Sequence, residues 1–266
     1  MRQNVWLTVA YDGTTFHGFQ RQANQETVQE YLEAALGHLY GHKVSLFGAA
    51  RTDAGVHARG QEVCAYVHGT IPPERIPRAI VPYLPPQIVV LKACEMPDNF
   101  HVRRDNIGKH YRYTIHNGIN ADPFQLLYSW HIRKPLDVSA MVKVAQVLKG
   151  QHDFSAFQGK NTTPMNPLKT IYDIRIQRQR TKILIDVIGD GFLYHMVRNI
   201  AGALVDAGRG QYMPKAIQKI LADKDRTKLG ITAPARGLCL EKVFFTNSEL
   251  AQELRYDIEV TAVKIP

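Results

Sequence analysis

The sequence predicts an α+β fold: two ferredoxin-like, RRM-like halves forming a mixed, mainly antiparallel sheet with helices on one side. Three observations predict it. The first hundred residues read as strand-helix-strand-strand-helix-strand, and the residues after Arg104 begin a similar order. In addition, 45% of the 266 residues are apolar, enough for a sizeable core. The chain is long for one compact domain and short for two independent ones, so the halves are expected at 1–104 and 105–266 of one continuous body.

Each element follows from local pattern. Val5, Leu7, Val9 and Tyr11 alternate with Trp6, Thr8 and Ala10, the period of a strand that ends at the Asp12-Gly13 turn. Thr27 and Glu30 fit a capping box, after which Val28, Leu32, Leu36 and Leu39 share one helix face up to Gly41. Val44 to Ala49 and Val63 to Val67 read as strands; Arg51 to Glu62 between them is too polar for core. A proline-flanked helix from Pro72 to Leu84 leads to a strand from Ile88 to Cys94. In the second half Tyr111 to Ile115 reads as a strand, Asp137 caps a helix through Leu148, and Thr170–Gln177 with Ile183–Ile188 form an antiparallel pair. Met196, Ile200 and Leu204 place a helix over Phe192 to Gly208, entered from the Gly189-Asp190-Gly191 turn.

Composition limits the class of function. The 33 Lys and Arg against 24 Asp and Glu give a net charge of +9, which suits a polyanionic partner. No apolar run reaches the roughly 20 residues a membrane span needs, and Met1 to Tyr11 lacks the order of a signal peptide, so a cytoplasmic protein with no membrane partner is expected. Three widely spaced cysteines, Cys64, Cys94 and Cys239, fit a reducing compartment. Eleven histidines are scattered without metal-ligand spacing, and no phosphate loop, dinucleotide fingerprint or nucleophile elbow occurs; no metal and no cofactor are expected.

The segment Ala50-Arg51-Thr52-Asp53-Ala54-Gly55-Val56-His57-Ala58 sets a carboxylate beside an arginine and a turn glycine, between two strands. By itself it also reads as ordinary turn chemistry. With Gln61 shortly after it, however, this run resembles the signature G-R-T-D-A-G-V-H of the TruA family of tRNA pseudouridine synthases. Further resemblances follow in order: Tyr11-Asp12-Gly13 with Gly18-Phe19-Gln20-Arg21-Gln22, Thr27-Val28-Gln29-Glu30, Phe100-His101-Val102-Arg103, Tyr111-Arg112-Tyr113, His152 to Phe157, His195 to Ile200 and Ala233 to Leu238. They span most of Val5 to Phe245. Phe19 stands where the family usually has Trp, and His110 where Arg is usual.

The resemblance implies an isomerase that converts uridine to pseudouridine in the anticodon stem-loop of tRNA, working without a cofactor as a homodimer with a basic cleft between its halves. It implies Asp53 as the catalytic carboxylate, Arg198 as its ion-pair partner and Tyr111 as the ring stacked on the target uracil. A carboxylate in a dry cleft needs an opposite charge within about 4–6 Å to stay ionised. Arg51 is adjacent but points to the other face of an extended segment, whereas Arg198 comes from the other half. The carboxylate could attack C1′, add to the uracil ring or take the C2′ proton; the residue pattern does not choose.

Arg51, His57, Arg21, Arg59 and Arg103 are the further expected substrate contacts. Arg103, Arg104, Lys109 and Arg112 surround Tyr111 in sequence, opposed only by Asp105, a mixture suited to flipped-base recognition. Arg175, Arg178 and Arg180, and the run Lys215, Lys219, Lys224, Arg226 and Lys228, are candidate phosphate contacts. Two alternatives belong to other classes: a diverged tRNA-binding or chaperone module without chemistry, and a base-removing glycosidase. The latter asks for a second acid, for which Glu62 is the nearest candidate.

Overall fold

The structure is a computed structural model and describes residues 2–159 and 166–260. The chain forms two compact units, Met1–Asn106 with Leu238–Val243, and Ile107–Gly237 with Phe244–Pro266. Both contain strands and helices, and the fold is α+β.

The first unit runs β1 (Arg2–Tyr11), α1 (Val28–Tyr40), β2 (Leu46–Gly48), β3 (His57–His68), α2 (Ile76–Ala79) and β4 (Ile88–Met96). Its strands lie in the order β4-β1-β3-β2, antiparallel throughout, which is the ferredoxin-like order. Val5, Leu7 and Val9 of β1 are fully buried, as their alternation requires. The α1 stripe of Val28, Leu32, Ala35 and Leu36 is likewise closed to solvent. Helix α1 ends at Gly41, whose φ of +70° lets its N–H reach the Gly37 carbonyl.

Three expectations are corrected here. Thr27 precedes α1 but makes no side-chain cap; its hydroxyl is buried with no hydrogen-bond partner among the described residues. The first two helical N–H groups, of Val28 and Gln29, donate instead to the carbonyls of Gly18 and Phe19, so the orphan donors are satisfied without a side chain. The Pro72–Leu84 helix is broken into α2 between two 3-10 turns, Pro73–Arg75 and Val81–Tyr83, because prolines at 73, 77 and 82 remove backbone donors. The polar stretch from Arg51 to Glu62 is largely core, and β3 begins inside it. Gln61 is fully buried, and Thr52, His57 and Glu62 nearly so. Glu62 accepts from Trp6 Nε1 at 2.5 Å and from Thr8 Oγ1 at 3.0 Å, which satisfies its carboxylate inside the sheet.

The second unit runs β5 (Gly108–Asn117), β6 (Trp130–Ile132), α3 (Val138–Leu148), β7 (Gly150–Asp153), β8 (Leu168–Gln179), β9 (Lys182–Gly189), α4 (Met196–Gly208) and α5 (Pro214–Asp223). After these come β10 (Leu238–Phe244) and α6 (Asn247–Val260). Strands β5, β9, β8 and β7 pair antiparallel in that order, with β6 parallel to β5. Asp137 caps α3 as expected, accepting from the N–H groups of Ser139 and Ala140. Helix α4 starts at Met196 rather than Phe192, because His195 takes φ +60°, a left-handed conformation no helix interior holds. The tail from Asn247 forms α6; Thr246 and Glu249 build a reciprocal capping box at its start; residues 261–266 lie outside the described residues.

Strand β10 returns to the first unit. Its Cys239 and Leu240 lie parallel to His57 and Ala58 of β3, on the edge that β2 occupies further along.

Candidate active site

Asp53 sits in a loop in which Ala50, Thr52, Gly55, Val56 and His57 are tied down. On the upstream side the Gln61 amide brackets Ala50, accepting from its N–H at 3.1 Å and donating to its carbonyl at 2.8 Å. The Thr52 hydroxyl bonds to the Tyr11 hydroxyl at 2.7 Å in the core, and the Thr52 carbonyl accepts from Phe19 N–H at 3.1 Å. Burial pushes the Tyr11 phenol far above its ordinary range, so it stays a neutral hydrogen-bonding group. On the downstream side Val56 N–H closes a turn on the Asp53 carbonyl, and Gly55, at φ +76°, donates to the Phe16 carbonyl.

Two glycines let the segment after β1 lie against this loop. A Cβ on Gly13 would stand 2.0 Å from the Val56 carbonyl oxygen, and one on Gly18 would stand 2.7 Å from that of Thr52. Gly18 also takes φ +91°, which side chains resist. Gly13 N–H donates to Nδ1 of buried His57 at 3.1 Å. The same nitrogen lies 3.1 Å from Asp12 Oδ1. Asp53 itself is half-exposed, in a loop held by its neighbours.

The expected basic contacts of the first unit differ in what they touch. Arg51 and Arg103 are exposed, and burial followed by repulsion from Arg51 lowers the Arg103 pKa, so the two guanidinium groups are neighbours. Among the described residues neither has a carboxylate partner. Arg21 is exposed but paired at 2.6 Å with Glu33 of α1, which is 9% exposed. Arg59 is exposed and loosely placed, 3.9 Å from Glu241. Phe19, which stands where the family usually has Trp, is core, packed against Gly48.

In the second unit Tyr111 is 7% exposed, its ring meeting Phe192 edge-on at 5.3 Å between centroids. Arg198, in the first turn of α4, donates from Nε to the Ala233 carbonyl at 2.8 Å, while Ala233 N–H returns a bond to the Arg198 carbonyl. That stretch is held by Arg226, which donates to the carbonyls of Leu229 and Gly230, to Asn199 Oδ1 and to Thr232 Oγ1. Tyr113, two residues from Tyr111, is fully buried and donates to the Pro234 carbonyl at 2.8 Å. Gly237 makes room for it: a Cβ there would meet the Tyr113 ring at 2.6 Å.

Several basic residues read as phosphate contacts have protein partners instead. Arg175 bonds Asp173 and the Glu253 carbonyl, and Arg178 bonds Asn117 and the Leu136 carbonyl. Lys224 pairs with Asp153, Lys228 with Asp223, Arg104 with Asp105 and Arg112 with Asp186. Asp153 and Asp186 lie far from their partners in the sequence, whereas Asp105, Asp173 and Asp223 are within five residues of theirs. The sequence also missed the supporting roles of Tyr11, Gly13, Gly18 and Arg226. Only the glycine spacing after β1 was a signal for them.

A clamped loop that presents a half-exposed carboxylate, in an α+β chain of net charge +9, fits an enzyme acting on a polyanion. A family model described as tRNA pseudouridine synthase matches residues 7–105 and 144–246. The tRNA pseudouridine synthase A of Moorella thermoacetica is 46% identical over 239 residues, 89% of this chain and 97% of its own. That of Thermoanaerobacter pseudethanolicus is 42% identical over 91% of this chain and all of its own. The tRNA pseudouridine synthase A 2 of Clostridium perfringens is 39% identical over the same shares. The chain belongs to the tRNA pseudouridine synthase family. It is an isomerase that converts uridine to pseudouridine in tRNA.

Proposed function

We propose that Asp53 is the essential carboxylate of this isomerase, that Arg198 is its ion-pair partner, and that Tyr111 stacks on the extruded uracil. The single observation that carries the reading is the clamped loop. Ala50, Thr52, Gly55 and His57 are all bonded to Tyr11–Phe19 or Gln61, so Asp53 is presented in one geometry. The reaction breaks the bond from C1′ to N1, turns the base and rejoins it through C5, so it needs an anion at the sugar and no redox partner. Pre-organisation of that anion lowers the barrier because the protein does not rearrange as charge moves.

Arg198 suits the partner role. Its Nε bond to Ala233 sets the plane of a guanidinium whose fork matches a carboxylate. Tyr111 offers a ring to a base that has left its stack, where each base–aromatic contact contributes about 1–3 kcal/mol against an unstacking cost of a few kcal/mol. Arg51 and Arg103, two like charges side by side, and Arg21, Arg59 and His57 complete the substrate contacts. The substrate is a uridine of the anticodon stem-loop. The acting species is a cytoplasmic homodimer. These finer points rest on the family resemblance and on the net charge of +9.

The test incubates unmodified tRNA transcripts with the protein and with Asp53→Asn, then maps pseudouridine and abasic sites and measures retained RNA. The expected outcome is pseudouridine in the anticodon stem-loop, none with Asp53→Asn, and binding kept in both. Turnover by Asp53→Asn at the unsubstituted rate rejects the assigned carboxylate, and full activity in Arg198→Ala rejects the ion pair. A monomer at working concentration by sedimentation rejects the dimer.

A further inference from the structure

Lys109 lies two residues from Tyr111 on β5, and side chains two apart share a face of the strand. In the β5–β9 pairing it stands opposite Gly189, where the chain turns through Asp190 and Gly191 toward Phe192, the ring that meets Tyr111. Lys169 of β8 runs beside the same turn, its Nζ 3.8 Å from where a Cβ on Gly191 would lie. Asp190 is anchored at the base of the turn: its Oδ1 accepts from Thr170 N–H at 3.0 Å, and its own N–H donates to the Thr170 carbonyl at 3.0 Å. Two ammonium groups and one carboxylate therefore share a corner next to the stacking ring.

We propose that Lys109 and Lys169, flanking the Gly189-Asp190-Gly191 turn, form a phosphate-binding site that grips the RNA backbone beside the nucleotide stacked on Tyr111. This deepens the proposed function and rests on Tyr111 as the stacking residue. A second phosphate-bearing contact here would hold the strand on the far side of the flipped nucleotide, so that extrusion does not depend on stacking alone. Lysine suits the task as a compact point charge on a flexible stem.

The same corner gives the site a signature. Burial first, and repulsion by Lys169 second, bring the Lys109 pKa down to about 8, with Asp190 opposing only in part. Tyr172 is the other titratable group facing Asp190; its pKa is raised, chiefly by burial, so it stays neutral over the same range. A bound phosphate favours the charged amine and moves that pKa back up. Affinity for RNA is then level below about pH 7 and falls as pH rises through the Lys109 pKa.

The experiment measures binding of an unmodified tRNA transcript by fluorescence anisotropy, with Asp53→Asn present in every protein so that no turnover intervenes. Lys109→Gln and Lys169→Gln are each expected to weaken binding by about tenfold and to flatten the slope of log affinity against log salt by about 1. Lys109→Arg is expected to keep the affinity and the slope, and to lose the fall in affinity between about pH 7 and about pH 9.5. An unchanged salt slope in Lys109→Gln, or a pH fall that persists in Lys109→Arg, overturns the site. Failure of the stacking assignment is read separately: Tyr111→Ala in the otherwise unsubstituted protein would then turn over at the normal rate, whatever the salt slopes show.

Discussion

Replacing Gly18 by alanine should slow the chemistry more than it weakens the fold. The new Cβ would lie 2.7 Å from the Thr52 carbonyl oxygen and 3.2 Å from Ala54 N and Asp53 C. Carbon–oxygen contacts of this kind settle near 3.3 Å, so the Thr52 carbonyl must retreat by about 0.6 Å, and it is the residue before Asp53. A 1 Å misplacement of a catalytic group costs on the order of 100-fold, so kcat should fall by roughly 10- to 100-fold. No charge changes, so tRNA affinity should stay within about threefold of the unsubstituted protein. The positive φ of +91° adds a backbone cost of about 1–2 kcal/mol, which lowers Tm by roughly 2–8 °C. Gly41→Ala is the control: it has φ +70° but nothing within 4 Å of the new Cβ, so it should lose similar stability and no activity. Single-turnover pseudouridine formation with both variants decides the matter. Equal rates in Gly18→Ala and Gly41→Ala would refute the claim that close backbone approach positions the carboxylate.

Other outcomes follow from the same geometry. Thr27→Val should be neutral or stabilising by up to about 1 kcal/mol in urea unfolding, because the buried hydroxyl has no hydrogen-bond partner among the described residues; a true cap would lose about that much. Arg226→Met should lower kcat by about tenfold with KM for tRNA little changed, since it loosens the stretch whose Ala233 carbonyl orients Arg198. His110 bonds Asp186 at 2.6 Å and approaches Glu253 of α6 at 3.3 Å. Burial alone would lower its pKa, but these two acids outweigh burial and raise it. The protonated ring therefore adds stability that is complete below about pH 6.5 and is lost as pH rises through the raised value, so His110→Gln should cost roughly 1.5–3 kcal/mol near pH 6 and less near pH 9. Urea titrations at the two pH values check it; an equal cost at both contradicts a charged His110.

The sequence was most informative where the deciding partner is close in the chain. Asp137 caps α3 with donors two and three residues away, and the β1 alternation needs only its own strand. The signature S/T-x-x-E shows the limit. At Thr27 it misleads, because backbone carbonyls of Gly18 and Phe19 reach the helix first; at Thr246 it holds, though the tail had suggested nothing. Arg51 to Glu62 reads as too polar for core when its polar residues are considered without their partners. Tyr11 and Trp6, which satisfy Thr52 and Glu62, lie 41 and 56 residues earlier, and no local pattern announces them. Asp53 stood out through a nine-residue run, while the glycines and the glutamine that hold its loop were visible only as neighbours in the same motifs.

The position of β10 sets an order of events during synthesis. The strand beside His57 and Ala58 is encoded far downstream of Asn106, after nearly all of the second unit. At a ribosomal rate of about 5–20 residues per second, the edge of β3 that follows the Asp53 loop waits on the order of 10 s for its partner. A fragment stopped at Asn106 would keep Asp53 and still lack the strand beside His57 and Ala58, so this unit is completed only after Leu238–Val243 has been made.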